Sequence, residues 1–323
     1  MNEHILLAYT FIDGQAERIG DQVISDQVKS TDNLTWLHMD INHLDTRSWL
    51  EKEAQYLDPF IIDALLVDEA RPRMTQFDKG VLLILRGVNL NKNSNPEDMV
   101  SIRLWIDQHR IISIRRRKVK AIWDMDEKFK KGEAPADAGD FICLLIAKLF
   151  DRMEPVLSDL DDLTDNIEEQ ILENVDSNMR ESIVSVRKQA IMYRRYMAPQ
   201  RDAIAQLRMS NMEWLIDTHK RSLQESHNQI TRYVEDLDAI RERAQIVKDE
   251  LANSLSDRLN KNMYMLSVVA AIFLPLGFLT GLLGINVGGI PGAENNNAFW
   301  LFCAILITVV AGQLYIFKKL KWF

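Results

Sequence analysis

A chain of 323 residues, 47% apolar and 27% charged, has the make-up of an ordinary folded protein that can bury a sizeable core. Its formal charge of −8 argues against a nucleic-acid partner, and it suits either attraction of cations or plain solubility. The two cysteines, Cys143 and Cys303, give no readable disulfide framework.

The start, MNEHILLAYTF, lacks a cationic leader, which predicts that no signal peptide is cleaved. The first 115 or so residues alternate apolar runs of strand character with polar turns. VLLILRGVNL (81 to 90), VSIRLWID (100 to 107) and RIISIRR (110 to 116) are rich in Ile, Leu and Val, and Gln108-His109 signals a tight hairpin between the last two. NKNSNPED (91 to 98) is a polar turn. LDPFIIDALLVDEA reads as a helix with Asp58 as N-cap and Pro59 at the first position, stopping at Arg71-Pro72. Together these predict a soluble α/β layer. Arg115, Arg116, Arg117 and Lys118 form a basic cluster, read as a salt-bridge layer in preference to a lipid contact.

From Asp140 the pattern turns helical. Residues 141 to 174 and 180 to 208 are amphipathic at a period of 3.6 and predict an antiparallel pair, with Pro199 expected to kink or end the second helix. The acidic run with Asp159, Asp162, Asp165, Glu168 and Glu169 could concentrate cations, but a charged run on a helix is usually a solvated face. Residues 213 to 283 contain no proline before Pro275 and no glycine before Gly277, which as one helix would extend ~105 Å at about 1.5 Å per residue. Ile230, Val234, Leu237, Ala244, Leu251, Leu255 and Leu259 form its seam. His219 and His227, with Glu225, lie on this stalk and form a candidate metal set between subunits; the histidines show no HExxH spacing.

Residues 263 to 283 and 298 to 317 are two apolar runs without Asp, Glu, Lys, Arg or His. Each is long enough as a helix to cover the ~30 Å hydrocarbon core of a bilayer, and a pair of full-length runs at the C-terminus argues against buried core helices. The connecting loop, 284 to 297, has no Lys or Arg and a single acid, Glu294, whereas Arg258 and Lys261 precede the first span and KKLKWF follows the second. That asymmetry predicts cytoplasmic N- and C-termini and an external loop. The expected organisation is a cytosolic α/β and helical domain over 1–210, a stalk helix over 211–262 and a membrane domain over 263–323.

The seam continues into the first span as Asn260, Met263, Ser267, Ala270, Leu274, Gly277, Gly281 and Gly284, a line of mainly small or weakly polar side chains. Two readings stand: close helix packing through the Gly277-xxx-Gly281 pattern, or the lining of a pore. A chain with two spans needs a symmetric ring of copies to enclose a pore. Without charge in the spans, a crossing cation would meet amides, carbonyls and apolar side chains, which suits an ion that keeps its water. Asn286 offers an amide at the outer mouth and Asn260 one near the inner end.

The strand-rich domain, long stalk, two C-terminal spans, GINVGGIPG and basic end together resemble the CorA family of divalent-cation transporters, whose signature is Gly-Met-Asn after the first span. Here the tripeptide is Gly284-Ile285-Asn286, and with RRYMAPQRD (194 to 202) it is more similar to the zinc-transporting ZntB branch than to the magnesium branch. RPRMTQFDKGVLLILRGVN and the strands after it also resemble the family's cytosolic domain, so the likeness covers nearly the whole chain. It implies an α+β membrane protein assembled as a homopentameric funnel in the inner membrane, with the first span lining the pore. It also implies Asn260, Met263, Leu266, Leu274, Gly277 and Asn286 as pore residues, with Leu266 in place of the Ser267 that periodicity selects.

The resemblance names no cofactor; Zn2+, or another divalent cation, is the cargo. One departure bears on mechanism. Magnesium-type members carry an acid soon after the signature asparagine, whereas Val287, Gly288 and Gly289 follow here. Zinc favours His or Cys, and the pore path holds neither, so selectivity for it has to come from the hydrated ion, the pore width or the cytosolic part. No P-loop, nucleophile elbow or CxxC is present, so enzymatic ATP or acyl chemistry lacks its parts. The alternatives are a magnesium, cobalt or nickel channel, or a membrane-anchored coiled-coil scaffold or sensor.

Overall fold

The computed structural model describes residues 3–67, 71–173, 178–284, 290, 292 and 295–320. It divides into two compact units, Met1–Asp249 and Glu250–Phe323.

The first unit begins with β1 (Ile5–Ile12), β2 (Gln15–Arg18), α1 (Ile24–Lys29), β3 (Leu34–Asp40), α2 (Asp45–Glu53) and α3 (Pro59–Leu66). It continues with β4 (Arg73–Gln76), β5 (Gly80–Gly87), β6 (Val100–Asp107), β7 (Arg110–Arg115) and α4 (Lys120–Lys130). The seven strands form one sheet in the order β2-β1-β3-β7-β6-β5-β4. Every neighbouring pair is antiparallel except β3 and β7, which run parallel with Thr35 opposite Arg110 and Asp40 opposite Arg115. The expected hairpin at Gln108-His109 joins β6 to β7, and Asp107 Oδ1 accepts from the backbone N–H groups of His109 and Arg110, which fixes the turn.

Both faces of the sheet are covered, so β5 and β6 read as almost continuous apolar runs rather than alternating ones. On one face Met39, Leu82, Ile112 and Ile114 pack against Leu50 of α2 and Ile61, Ile62 and Leu65 of α3. Helix α3 starts where the sequence places it: the Asp58 side chain accepts from Phe60 N–H at 2.8 Å, with Pro59 at the first position. It ends at Leu66, before the Arg71-Pro72 stop read from the sequence, and residues 68–70 lie outside the described set.

The other face carries an aromatic layer in which Tyr9, Phe11 and Trp36 meet Phe129 of α4 and Phe141. Most of the polar atoms named here are paired, His38 Nε2 being an exception. Tyr9 donates to Asp126 at 2.6 Å, Asp126 also meets Lys130, and Trp36 Nε1 donates to Ser113. His38 reaches the same Ser113 hydroxyl, and burial, with the Arg115 charge as a second cause, lowers its pKa to about 3, so it is a neutral ring at physiological pH.

Three long helices follow: α5 (Ala138–Glu173), α6 (Asn178–Met209) and α7 (Asp217–Gly284). Their buried stripes repeat every three or four residues, as in Phe141, Leu145, Leu149 and Met153 of α5 or Ile183, Val186, Ala190, Tyr193 and Met197 of α6. Pro199 does not end α6, which runs on to Met209. Met197, Ala203, Ile204 and Leu207 are buried around it, and that packing offsets the ~3 kcal/mol a mid-helix proline costs. The seam of α7 is buried from Ile230 to Leu251. The acidic run of α5 is only in part a solvated face. Arg243 of α7 binds Asp161, Asp165 and Glu168, and those hydrogen bonds, Glu168 first, raise its pKa. Of the basic cluster, Arg115 forms an ion pair with Asp40 at 3.7 Å.

The second unit consists of the C-terminal part of α7 and α8 (Ala298–Lys319). Val268 of α7 and Phe317 of α8 are buried, and Gln313 of α8 donates to the carbonyl of Ala271 at 3.1 Å. That carbonyl is the one Pro275 leaves without its usual helical donor four residues on, so α8 supplies what the proline withholds.

Candidate functional site

Among the described residues, two helices are long and apolar enough to cross a membrane, and their apolar stretches are almost entirely exposed. A soluble protein hides such helices in its core. Hydroxyls along them are turned inward to their own helix: Ser267 donates to Met263 O, Thr280 to Leu276 O and Thr308 to Ala304 O. This is how hydroxyl groups are kept satisfied in hydrocarbon.

Within the second unit, α7 has two distinct faces. From Lys261 to Gly284, Val268, Ala271, Ile272, Pro275, Leu276 and Leu279 are the positions buried or partly covered. At about 100° per residue they share one side of the helix. Met263, Leu266, Ser267, Ala270, Leu274, Gly277 and Gly281 are all exposed, and on the same count they lie on the opposite side. A Cβ added at Gly277, Gly281 or Gly284 would meet nothing within 4 Å. Among the described residues, then, no neighbour in the chain packs closely against these three glycines. Asn260, the inner amide, is exposed as well. Ile285, Asn286, Glu294 and the last three residues lie outside the described residues.

The stalk histidine is placed differently from expectation. His219 does not join Glu225, which is exposed, or His227, which is half-buried; within the chain it meets Asp137 and Asp140 at the start of α5. Its Nε2 lies 3.1 Å from Asp140 Oδ1 and 3.3 Å from Asp137 Oδ1. Cys143, one turn further along α5, donates its thiol to His219 O at 3.7 Å. Burial, and then the nearby Asp140 and Asp137 charges, push that thiol up to about 12, so it is not a thiolate near neutrality. A second group, His4, His43 and Asp45, also brings three potential ligand atoms together. Each group joins a local pair, Asp137 with Asp140 or His43 with Asp45, to a histidine distant in the chain, so the local sequence signals neither.

An α/β domain, a long helix continuing into an apolar segment and a second apolar helix define a membrane protein of two-span transporter architecture. The chain belongs to the CorA family: the family model described as "CorA-like Mg2+ transporter protein" matches residues 31–319. It is 36% identical over 311 residues to the divalent cation transporter CmaX of Pseudomonas aeruginosa, covering 96% of this chain and 93% of that one. It is 34% identical to the zinc transport protein ZntB of Yersinia enterocolitica, covering 92% and 90%. The solved structure of full-length CmaX matches with a TM-score of 0.86 and 34% identity, over 100% of this chain and 99% of that one.

Proposed function

We propose that this protein carries divalent cations, zinc foremost, across the inner membrane, with both termini in the cytoplasm. In this reading it works as a homopentamer in a lipid bilayer, and the uncovered face of α7 lines the pore. Asn260, Met263, Leu266, Leu274, Gly277 and Asn286 border the path, and the Gly284-Ile285-Asn286 signature ends it. No resident cofactor and no enzymatic step is needed, since the ion is cargo. The observation that carries the reading is that the covered positions of α7 share one side of the helix and leave Asn260, Met263, Leu266, Leu274 and Gly277 uncovered in the single chain. A helix that only anchored a scaffold or sensor would have no reason to keep those residues in line.

Chemically, the path suits an ion that retains water. The candidate residues offer amides and backbone rather than charge, and a dehydrated divalent ion would find no carboxylate to replace its hydration shell. Zinc is favoured over magnesium by the high-coverage likeness to proteins named for zinc transport and by the GIN tripeptide. Glu225 and His227 are then left as ligands toward a neighbouring copy.

Uptake of Zn2+ by proteoliposomes loaded with a zinc-sensitive dye is the test. Wild type should fill the vesicles and Asn286→Ala should fill them several-fold more slowly. Wild-type vesicles as dark as empty liposomes would end the transport reading. Repeating the assay with magnesium and its own dye, and with an opposing proton gradient, separates zinc from magnesium and coupled from passive flow.

A further inference from the structure

His219 stands in the first turn of α7, with its side chain only 4% exposed, and points its Nε2 at two carboxylates. Those carboxylates are held in place by local bonds: Asp137 accepts from Asp140 N–H at 2.9 Å, and Asp140 accepts from Ala136 N–H. An N–H group drawn to a carboxylate by charge closes to ~2.7–2.9 Å and aims along one direction. Here a single ring nitrogen faces two carboxylate oxygens at 3.1 and 3.3 Å, longer than that and nearly equal. Ligands held ~2.0–2.2 Å from a tetrahedral zinc ion stand roughly 3.3–3.5 Å from each other, close to both separations. All three ligand atoms lie within 4.8 Å of one another.

We propose that Asp137, Asp140 and His219 form a binding site for a zinc-like divalent cation, with Nε2 and one oxygen of each carboxylate as ligands. The donor set decides the class of ion. One imidazole with two carboxylates suits Zn2+, Co2+ or Ni2+, whereas Mg2+ seeks oxygen ligands and keeps its waters. The carboxylate side chains are 41% and 47% exposed, so the ion has a way in and a position left for water. On the far side of the ring, Nδ1 is buried without a hydrogen-bond partner, and a Cβ at Gly139 would collide with it. Packing against Gly139, and not an outer hydrogen bond, orients the ligand; a missing outer partner typically costs 10–100-fold in affinity. The site is therefore one that fills and empties with cation supply. It lies within one chain and stands whether or not the chain transports anything.

The full chain, purified in detergent and stripped of metal, is titrated with Zn2+ against a competing chromophoric chelator, and separately with Co2+ followed by visible absorption. Wild type should bind one equivalent more per chain than Asp140→Asn or His219→Gln, or bind it at least tenfold more tightly. The Co2+ band should be lost in both variants and should survive millimolar Mg2+ in wild type. Should His219→Gln fail to fold, Asp137→Asn and Asp140→Asn, on half-exposed side chains, decide the matter alone. Equal stoichiometry, affinity and spectrum in wild type and the carboxylate variants would overturn the site and leave a hydrogen-bonded tie between α5 and α7. Because binding is read in detergent and transport in vesicles, the two readings fail separately.

Discussion

In Met1–Asp249 a core of large side chains is closed to solvent: Trp36, Leu82, Leu104 and Phe141 are all 0% exposed. In Glu250–Phe323 side chains just as apolar stand open, with Leu266 at 71%, Leu274 at 74% and Trp300 at 72%. Charge follows the opposite pattern. The first unit ties α7 to α5 through Arg243 and to α6 through the Arg194–Asp238 pair, whereas the apolar stretches of the second have no charged group to pair. The first unit thus supplies its own non-aqueous surroundings, and the second has to find them outside the chain.

Truncation should expose that contrast most strongly. Trp36→Ala removes a fully buried indole and should cost about 3–5 kcal/mol in the melting of the first unit, measured on the full chain in detergent. Leu274→Ala should change melting by less than ~0.5 kcal/mol in the same assay, and equal losses would break the comparison. Glycines sharpen it next. Gly139→Ala pushes a methyl into the His219 ring and should cost about 1–3 kcal/mol, while Gly281→Ala, which meets open space, should leave the melt alone. A smaller particle on gel filtration from Gly281→Ala with an unchanged melt would place that face against another copy.

Acid should act on the first unit through His38. Its folded pKa of about 3 lies below the ordinary histidine value of about 6.5, so below pH 6.5 the unfolded chain takes up a proton that the folded chain refuses. Stability then falls as pH falls, by up to about 1.4 kcal/mol per pH unit from this group, and the loss continues down to pH 3. His38→Gln should flatten that slope in melts taken between pH 7 and pH 5. Among the changes expected to lower stability, Arg243→Met should cost least, ~1 kcal/mol or less, because its partners are partly exposed. The difference from wild type should vanish in 1 M salt, where the screening length is about 3 Å.

Features whose cause is local were legible in the sequence. The Asp58 cap, the hairpin at Gln108-His109, the two spans and the uninterrupted stalk each rest on residues a few positions apart. Strands β1 and β3 were harder to delimit, since burial on both faces removes the alternation that marks a strand, and β4 is only four residues long. The parallel pairing of β3 with β7 joins residues 75 positions apart and has no local signal. The same limit governs His219: its partners within the chain are acids at the start of another helix, which its own sequence neighbours do not signal. Arg243 was missed for the same reason, because its three acids lie on another helix. The small-residue face was legible because a regular helix preserves spacing.

Pro275 and Gln313, 38 positions apart in sequence, act as a lock and its key. In hydrocarbon the carbonyl of Ala271 has no water to turn to, so losing Gln313 alone strands it, and replacing Pro275 alone makes the glutamine redundant. A double substitution at these two positions is therefore expected to be tolerated more readily than loss of Gln313 alone.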